Sequence, residues 1–484
     1  MAIGSFGVGW FPLAFKPLRW DFLHYLQTQT FGLALSRALV VVGAALLLQI
    51  WLVVGVDTLH EKSITESQML RILMCWVTPL LFAAPLFSRD VYAYFMQGHL
   101  QLDGNNPYKT GVALANGWFT SGVDPMWAES KTPYGPAFLL IEKTVAWLCG
   151  NSAFLSAFIF RIIGVLSVVL LAKSIAALAR RHGIDPAAAM WLGALNPLVL
   201  MHFVAGSHND SLMVALIALG FVYAVDSRFI WSVILVTLAV AVKPVALVAL
   251  PFVAIQATNG QSLRKRLLAF AATLSLAAVT MIALSLLAQV DPLGWISALA
   301  TPGSVRSWLS PVTAIGIAFG TLFSHIGLGD QMIHTITAMR GIGFIALLFS
   351  LGYLALFPRG RSATRGAAFA LVAVVACGPV VQPWYLMWSI PLFAATGLNT
   401  TWLRVAIISI CGFTIHGIAN ASATADTFLE FSDGLAMLIA VVTLAIAIFA
   451  SPRERALIIG DHEIRPLLPA TIEDVQTASL QLIK

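Results

Sequence analysis

The stretch Pro85-Leu86-Phe87-Ser88-Arg89-Asp90-Val91-Tyr92-Ala93-Tyr94 marks the point where a long apolar run stops. An oppositely charged pair, Arg89 and Asp90, stands where the chain leaves hydrocarbon, and a tyrosine-rich amphipathic segment follows at once. A polar loop comes next, through Asn105-Asn106-Pro107-Tyr108, Trp118, Trp127 and Thr132-Pro133-Tyr134-Gly135-Pro136. Acidic residues at membrane depth are costly and tend to mark function. Asp90, heading this long loop, is the first candidate for chemistry, with the rest of the chain as its scaffold.

The surrounding chain is a membrane protein by composition. Of 484 residues, 59% are hydrophobic and 10% charged, and mean hydropathy is +0.87. A soluble domain carries roughly a quarter charged residues. Apolar runs of about 18 residues recur, which predicts spanning helices rather than strands. The net charge of +6 is what arginines in cytoplasmic loops would give. No basic tract points to nucleic acid. Cys75, Cys149, Cys377 and Cys411 lack CxxC spacing and lie in or beside apolar segments, so they read as buried free thiols. The N-terminus lacks the charged start and cleavage site of a signal peptide.

Taken in order, residues 1–32 form an interfacial arm with Lys16, Arg19 and Asp21. Apolar runs follow near 33–55 and 70–87. The first long external loop covers 88–152, and its segment 134–149, short and carrying Glu142 and Lys143, reads as a surface-lying helix. The next span is 153–179. Placing Arg180/Arg181, Arg228, Arg264-Lys265-Arg266, Arg359/Arg361/Arg365, Arg404 and Arg453/Arg455 inside gives spans near 187–205, 209–226, 229–243, 244–258, 266–289, 337–357, 364–381, 386–398, 402–420 and 432–450. That makes about 13 transmembrane helices in a domain spanning 33–450. A second external loop, 290–336, holds a re-entrant or surface segment at 311–326, and 451–484 is a cytoplasmic tail. This topology leaves Lys16, Arg19 and Arg37 on the wrong side, a conflict that a missing upstream span would resolve. It also puts the polar clusters on one face: the Asp90 loop, Ser207-His208-Asn209-Asp210, Asp291 to Pro311, Gln382-Pro383-Trp384-Tyr385, and His416 to Asp433.

The acids outside and near the membrane are Asp90, Asp103, Asp124, Glu129, Glu142, Asp210 and Asp291, with Asp426, Glu430 and Asp433 as a weaker set. The sequence has no DxD pair, HExxH, GxSxG or GxxxxGK[ST], so nucleotide hydrolysis, zinc proteolysis and serine esterase chemistry have no visible machinery. Asp90 has two compatible readings: a helix N-cap, shared with Ser88, or a general base. Ser207-His208-Asn209-Asp210 can likewise cap a span, or bind a phosphate or sugar hydroxyl. Lys243 is a snorkelling lysine or a point charge for a phosphate. Arg306 is the better phosphate candidate, because a guanidinium grips phosphate oxygens bidentately. Gln382, Trp384 and Tyr385 form either an aromatic belt or a sugar platform. Tyr108, Trp118, Trp127 and Tyr134 read first as interfacial anchors.

Taken together, Ser88-Arg89-Asp90-Val91-Tyr92-x-Tyr94, Gln97-Gly98, Asn106-Pro107-Tyr108, Thr132-Pro133-Tyr134-Gly135-Pro136, Asn196-Pro197-Leu198, Ala205-Gly206-x-His208-Asn209-Asp210, Val242-Lys243-Pro244 and Gln382-Pro383-Trp384-Tyr385 resemble one family. It is that of the actinobacterial polyprenol-phosphomannose-dependent α-1,6-mannosyltransferases, MptA and MptB, and the resemblance leans to the MptB-like branch. It implies an all-α polytopic GT-C glycosyltransferase fold. It implies a polyprenyl-phosphate mannose donor and a mannosylated phosphatidylinositol-type lipid acceptor, extended into the lipomannan and lipoarabinomannan backbone at the external face of the plasma membrane. No metal or other cofactor is implied, and an accessory membrane or lipoprotein partner is left open. Carried onto this chain, the catalytic acid is Asp90.

A polyprenyl phosphate leaves as a stable anion, so it needs positive charge rather than the second carboxylic acid that glycosidases use. One base and one cationic patch then suffice for a single inverting displacement. Arg306, Lys243 and His208 are the donor-phosphate candidates. Arg89, Tyr94, Tyr134, Asn209, Asp210, Gln382, Trp384 and Tyr385 are placed around the sugars and acceptor. The alternative from another class is a flippase or exporter of lipid-linked sugars, which would explain the spans but would not need an acid heading one external loop.

Overall fold

A computed structural model describes residues 1–61, 64–258, 261–299, 303, 306–419, 442, 445, 452–459 and 466–469. Its helices, in chain order, are α1 (Ser5–Val8), α2 (Asp21–Thr28), α3 (Thr30–Val56), α4 (Glu66–Leu81), α5 (Asp90–Leu102), α6 (Pro136–Cys149), α7 (Ala153–Arg181), α8 (Pro186–Gly193), α9 (Asp210–Val225), α10 (Phe229–Val242), α11 (Leu250–Ala257), α12 (Leu263–Ala288), α13 (Gly294–Ala298), α14 (Pro311–His325), α15 (Met332–Leu356), α16 (Ala363–Cys377), α17 (Ile390–Thr396), α18 (Thr400–Ala419) and α19 (Pro452–Ile459). Among the described residues the only β pairing is an isolated bridge between Leu398 and Leu467.

Among the described residues, five helices are long and apolar enough to cross a membrane: Thr30–Leu59, Ala153–Arg181, Leu263–Ala288, Met332–Leu356 and Thr400–Ile418. A sixth span results if the π-helical segment Val199–Ala205 and α9, bent by 112°, are counted as one. The protein is therefore a multi-pass membrane protein. The expected count of 13 spans is not confirmed among the described residues, and prolines stand where several of the expected runs are interrupted. The run 187–205 is cut at Pro197 into α8 and the π segment. The runs 244–258 and 386–398 each begin as a 3-10 turn and continue as a short helix with a proline in its first turn. A ring without an N–H fits a helix start and breaks a helix interior. The expected span 432–450 and the acids Asp426, Glu430 and Asp433 fall outside the described residues. Segment 311–326 is the helix α14. It forms a hairpin with α15 so close that a β-carbon on Gly316 would sit 2.6 Å from the Ile336 Cα. Of the four cysteines, all free, Cys149 and Cys411 are buried and Cys75 is exposed on α4.

Two features position the site. First, α5 and α6 pack face to face: a β-carbon on Gly98 would lie 2.2 Å from the Glu142 carbonyl oxygen. The start of α6 also docks on the end of α10, where Gly135 N–H donates to the Val242 carbonyl at 3.1 Å. Second, the N-terminal arm is laid along the Asp90 stretch. Ala84 N–H donates to Ser5 Oγ (2.9 Å), Trp10 N–H to the Pro85 carbonyl (3.0 Å) and Leu13 N–H to the Thr120 carbonyl (2.9 Å). Near the other end, α19 buries Leu457 in the main core.

Candidate active site

A cavity of about 210 Å³ opens where three interruptions of the helical scaffold meet. The first is the stretch before α5. Asp90 is the first residue of that helix, yet its side chain does not cap it. Ser88 takes that task, with its Oγ accepting the Asp90 N–H at 3.1 Å. The carboxylate is thus released for other partners. Oδ1 accepts the Trp127 indole N–H at 3.1 Å, and Oδ2 lies 3.3 Å from His208 Nδ1. Burial alone would push the Asp90 carboxyl up; the hydrogen bond and charge of His208, the Lys243 ammonium and the Trp127 N–H outweigh it and hold the group below its ordinary value. Arg89 points elsewhere. It donates to the carbonyls of Gly122 (2.9 Å) and Val123 (3.0 Å) and lies over the Trp10 ring at 4.3 Å.

The second interruption is Gly206-Ser207-His208-Asn209, between the π segment and α9. Asp210 opens α9, and again its carboxylate is no cap. It accepts Lys243 Nζ on both oxygens, at 2.9 and 2.8 Å, and the Trp388 indole N–H at 2.6 Å. Lys243 sits at the break after α10, with its ammonium 5.3 Å from the Tyr385 ring and 5.5 Å from the Trp388 ring. The third interruption is the stretch 378–388. There Trp384 stacks on His208 with ring centroids 3.9 Å apart, and Tyr385 stacks on Trp388 at 4.0 Å.

Several polar atoms around this cavity are buried without a partner among the described residues: both ring nitrogens of His202, Nε2 of His208, the side-chain amide of Asn209 and Nε1 of Trp384. Buried polar groups are nearly always satisfied, and each one left bare costs about 1–3 kcal/mol. A cluster of them on aromatic walls suits a ligand rich in hydroxyls, whose polar edges meet the bare atoms and whose apolar faces lie on the rings.

Residues 1–259 match the model of the MptA/MptB family, described as the alpha-(1->6)-mannopyranosyltransferase N-terminal domain. Residues 312–451 match the MptB C-terminal domain. The chain belongs to the alpha-(1->6)-mannopyranosyltransferase family. It is a mannosyltransferase, and hence a glycosyltransferase. Its relatives include alpha-(1->6)-mannopyranosyltransferase A of Mycobacterium tuberculosis, 34% identical over 79% of this chain and 74% of that protein. A second M. tuberculosis alpha-(1->6)-mannopyranosyltransferase is 31% identical over 93% of this chain and 85% of that protein. Alpha-(1->6)-mannopyranosyltransferase B of Corynebacterium glutamicum is 28% identical over 91% and 76%. Among solved structures, the oligosaccharyltransferase of Archaeoglobus fulgidus aligns with 82% of this chain and 56% of its own at 11% identity, with a TM-score of 0.36; so distant a likeness carries no argument.

In this mannosyltransferase the cavity gathers Arg89, Asp90, Tyr94, Tyr134, His208, Asp210, Lys243, Gln382, Trp384 and Tyr385 from widely separated stretches. Asn209 is buried beside His208 without lining it. Arg306 is exposed and does not line it either. Its neighbour Ser307 donates to the Val381 carbonyl at 3.1 Å, which places Arg306 near the rim. The structure adds Trp10, Trp127, His202 and His416 to the lining, and Trp388 behind Asp210. Sequence gave no signal for Trp10, which reaches the site only because the arm folds back. Trp127 lay in the right loop, but reads as an interfacial anchor until its N–H is seen on Asp90.

Proposed function

We propose that the protein is an inverting α-1,6-mannosyltransferase on a GT-C scaffold, acting at the external face of the plasma membrane. Its donor is polyprenyl-phosphate mannose. Its acceptor is a mannosylated phosphatidylinositol-type lipid, which it extends toward the mannan backbone of lipomannan and lipoarabinomannan. The observation that carries this reading is the Asp90 carboxylate, met by His208 and Trp127 and held below its ordinary pKa, in a cavity whose bare polar atoms and aromatic walls suit a sugar.

Asp90 removes the proton from the acceptor 6-hydroxyl as that oxygen attacks the donor's anomeric carbon. The bond from that carbon to the phosphate oxygen breaks, and the polyprenyl phosphate departs as an anion without needing a proton. A β-linked donor then gives an α product. Lys243 supplies positive charge on the cavity wall, with His208 beside it and Arg306 at the rim as further partners for the phosphate. Trp384, Tyr385, Gln382, His208 and Asn209 orient the sugars, and Arg89, Tyr94, Tyr134 and Asp210 shape the acceptor side.

The test compares purified wild type with Asp90→Asn, using synthetic polyprenyl-phosphate mannose and a mannosyl lipid acceptor. The variant keeps the side-chain size and removes the base. Folded Asp90→Asn should lose about 10²–10⁴ in rate. Equal rates would move the base elsewhere, and no transfer by folded wild type to any such acceptor would overturn the donor and acceptor assignment.

A further inference from the structure

Arg161 lies on α7, a helix of 29 apolar-rich residues. It is 2% exposed. A buried guanidinium in a spanning helix is costly and needs partners. Among the described residues no carboxylate bonds to it; its partners are three backbone carbonyls. Nε donates to Val204 at 3.3 Å, one terminal nitrogen to Ala205 at 3.2 Å, and the other to Ala83. Ala83 begins the descent from α4 to Asp90. Val204 and Ala205 end the π segment that leads to His208.

The same two backbones also touch directly, since Leu86 N–H donates to the Ala205 carbonyl at 3.1 Å. One turn along α7, a β-carbon on Gly164 would lie 2.7 Å from the Phe203 oxygen, so the helix backbone itself seats the π segment. Each of the two connections then contains a non-glycine residue in the left-handed region: Phe87 at φ 64° and Ser207 at φ 53°. Such backbone persists only where its surroundings over-determine it. Phe87 lies three residues before Asp90, and Ser207 immediately precedes His208.

We infer that Arg161 is a positioning residue: one planar fork holds both chain breaks, and by doing so sets the approach of His208 to Asp90. A guanidinium can serve three carbonyls at once because its donors are fixed in a plane, which a lysine ammonium on a flexible stem cannot reproduce. The structural part of this inference is independent of the proposed donor and acceptor; only its kinetic consequence rests on them.

The test uses the full-length protein in detergent as wild type, Arg161→Lys and Arg161→Met. Backbone hydrogen exchange is read by mass spectrometry in peptides covering 83–90 and 200–211, with α12 as control. In Arg161→Lys both segments should exchange faster together while α12 does not change. Its kcat for mannosyl transfer, per folded molecule, should fall about 10²-fold, the scale expected of a small misplacement of catalytic groups, with KM little changed. A purely structural role would lower the folded yield and leave kcat per folded molecule intact. If Arg161→Met does not fold, Arg161→Lys decides alone, since it keeps a buried cation. Wild-type exchange in either segment of folded Arg161→Lys, or an unchanged kcat, overturns the inference. Should wild type transfer no mannose, the proposed substrates fall, and the exchange measurement still decides the role of Arg161.

Discussion

The surroundings of Asp90 suit a boundary acid to the base role proposed for it. Its own helix start is capped by Ser88, so both carboxylate oxygens are free to meet His208 and Trp127. Burial opposes its charge, and His208, Lys243 and Trp127 overcome that opposition. A base works only when unprotonated, so with its carboxyl held below the ordinary 3.8 the enzyme should keep kcat/KM as pH falls until Asp90 finally takes up a proton. Trp127→Phe removes one of the groups that holds the pKa down. Its acidic limb should therefore lie at higher pH than that of wild type, with a smaller change near neutrality; coincident limbs in a pH–rate profile would refute this. Asp210 and Lys243 make a second, more enclosed pair. Asp210→Asn leaves the lysine ammonium uncompensated and should lower stability by about 3 kcal/mol or more. The double variant Asp210→Leu/Lys243→Met should cost less than the sum of the two single changes, because the pair shares one interaction. Thermal unfolding of the four proteins measures both. At this scale the sequence was informative: a cap was open for Asp90 and for the Ser207–Asp210 stretch, and only side-chain partners, which no sequence pattern encodes, show that neither carboxylate caps its helix.

Helices carry the site to its place through close backbone contact. The α5–α6 pair meets at Gly98, where even one methyl group would enter the space of the Glu142 carbonyl. Glu142 is itself buried, among the described residues with neither carboxylate oxygen bonded, and burial pushes its carboxyl well above the ordinary range. Gly98→Ala should force the helices apart and destabilise by about 1–3 kcal/mol, as overpacking does, visible as a lowered unfolding temperature beside a neutral control such as Gly341→Ala, where a β-carbon meets nothing. The element scale was also where sequence reading fell short. Apolar runs of similar hydropathy became one unbroken helix in α7 but two pieces, Pro186–Gly193 and Val199–Ala205, in the next run, since hydropathy alone does not say whether a proline opens a helix or divides one. The arm before α3 read as an independent interfacial segment because nothing in its composition records that Ser5 and Trp10 bond to residues 84 and 85.

Across the whole molecule, the interruptions that shorten the spans are the places where chemistry-bearing residues collect. Irregular backbone at membrane depth is tolerated only where protein or a polar cavity satisfies it. Here the breaks before α5, before α9, after α10 and around 378–388 satisfy one another and enclose a single cavity. Counting arginines along the sequence grouped the Asp90 loop, Ser207–Asp210 and Gln382–Tyr385 on one face, and Asp90, His208 and Trp384 from those three stretches line one cavity. Which face is outside is part of the proposal and can be tested directly. Glu129 is exposed in the loop that reaches the cavity, and Ser227 is exposed in the turn between α9 and α10, beside Arg228. In a variant whose four native cysteines are replaced, Glu129→Cys should react with a membrane-impermeant maleimide in intact cells, while Ser227→Cys should react only after the membrane is opened. The reverse pattern would put Asp90 on the cytoplasmic side, where a lipid-linked donor facing outward could not reach it.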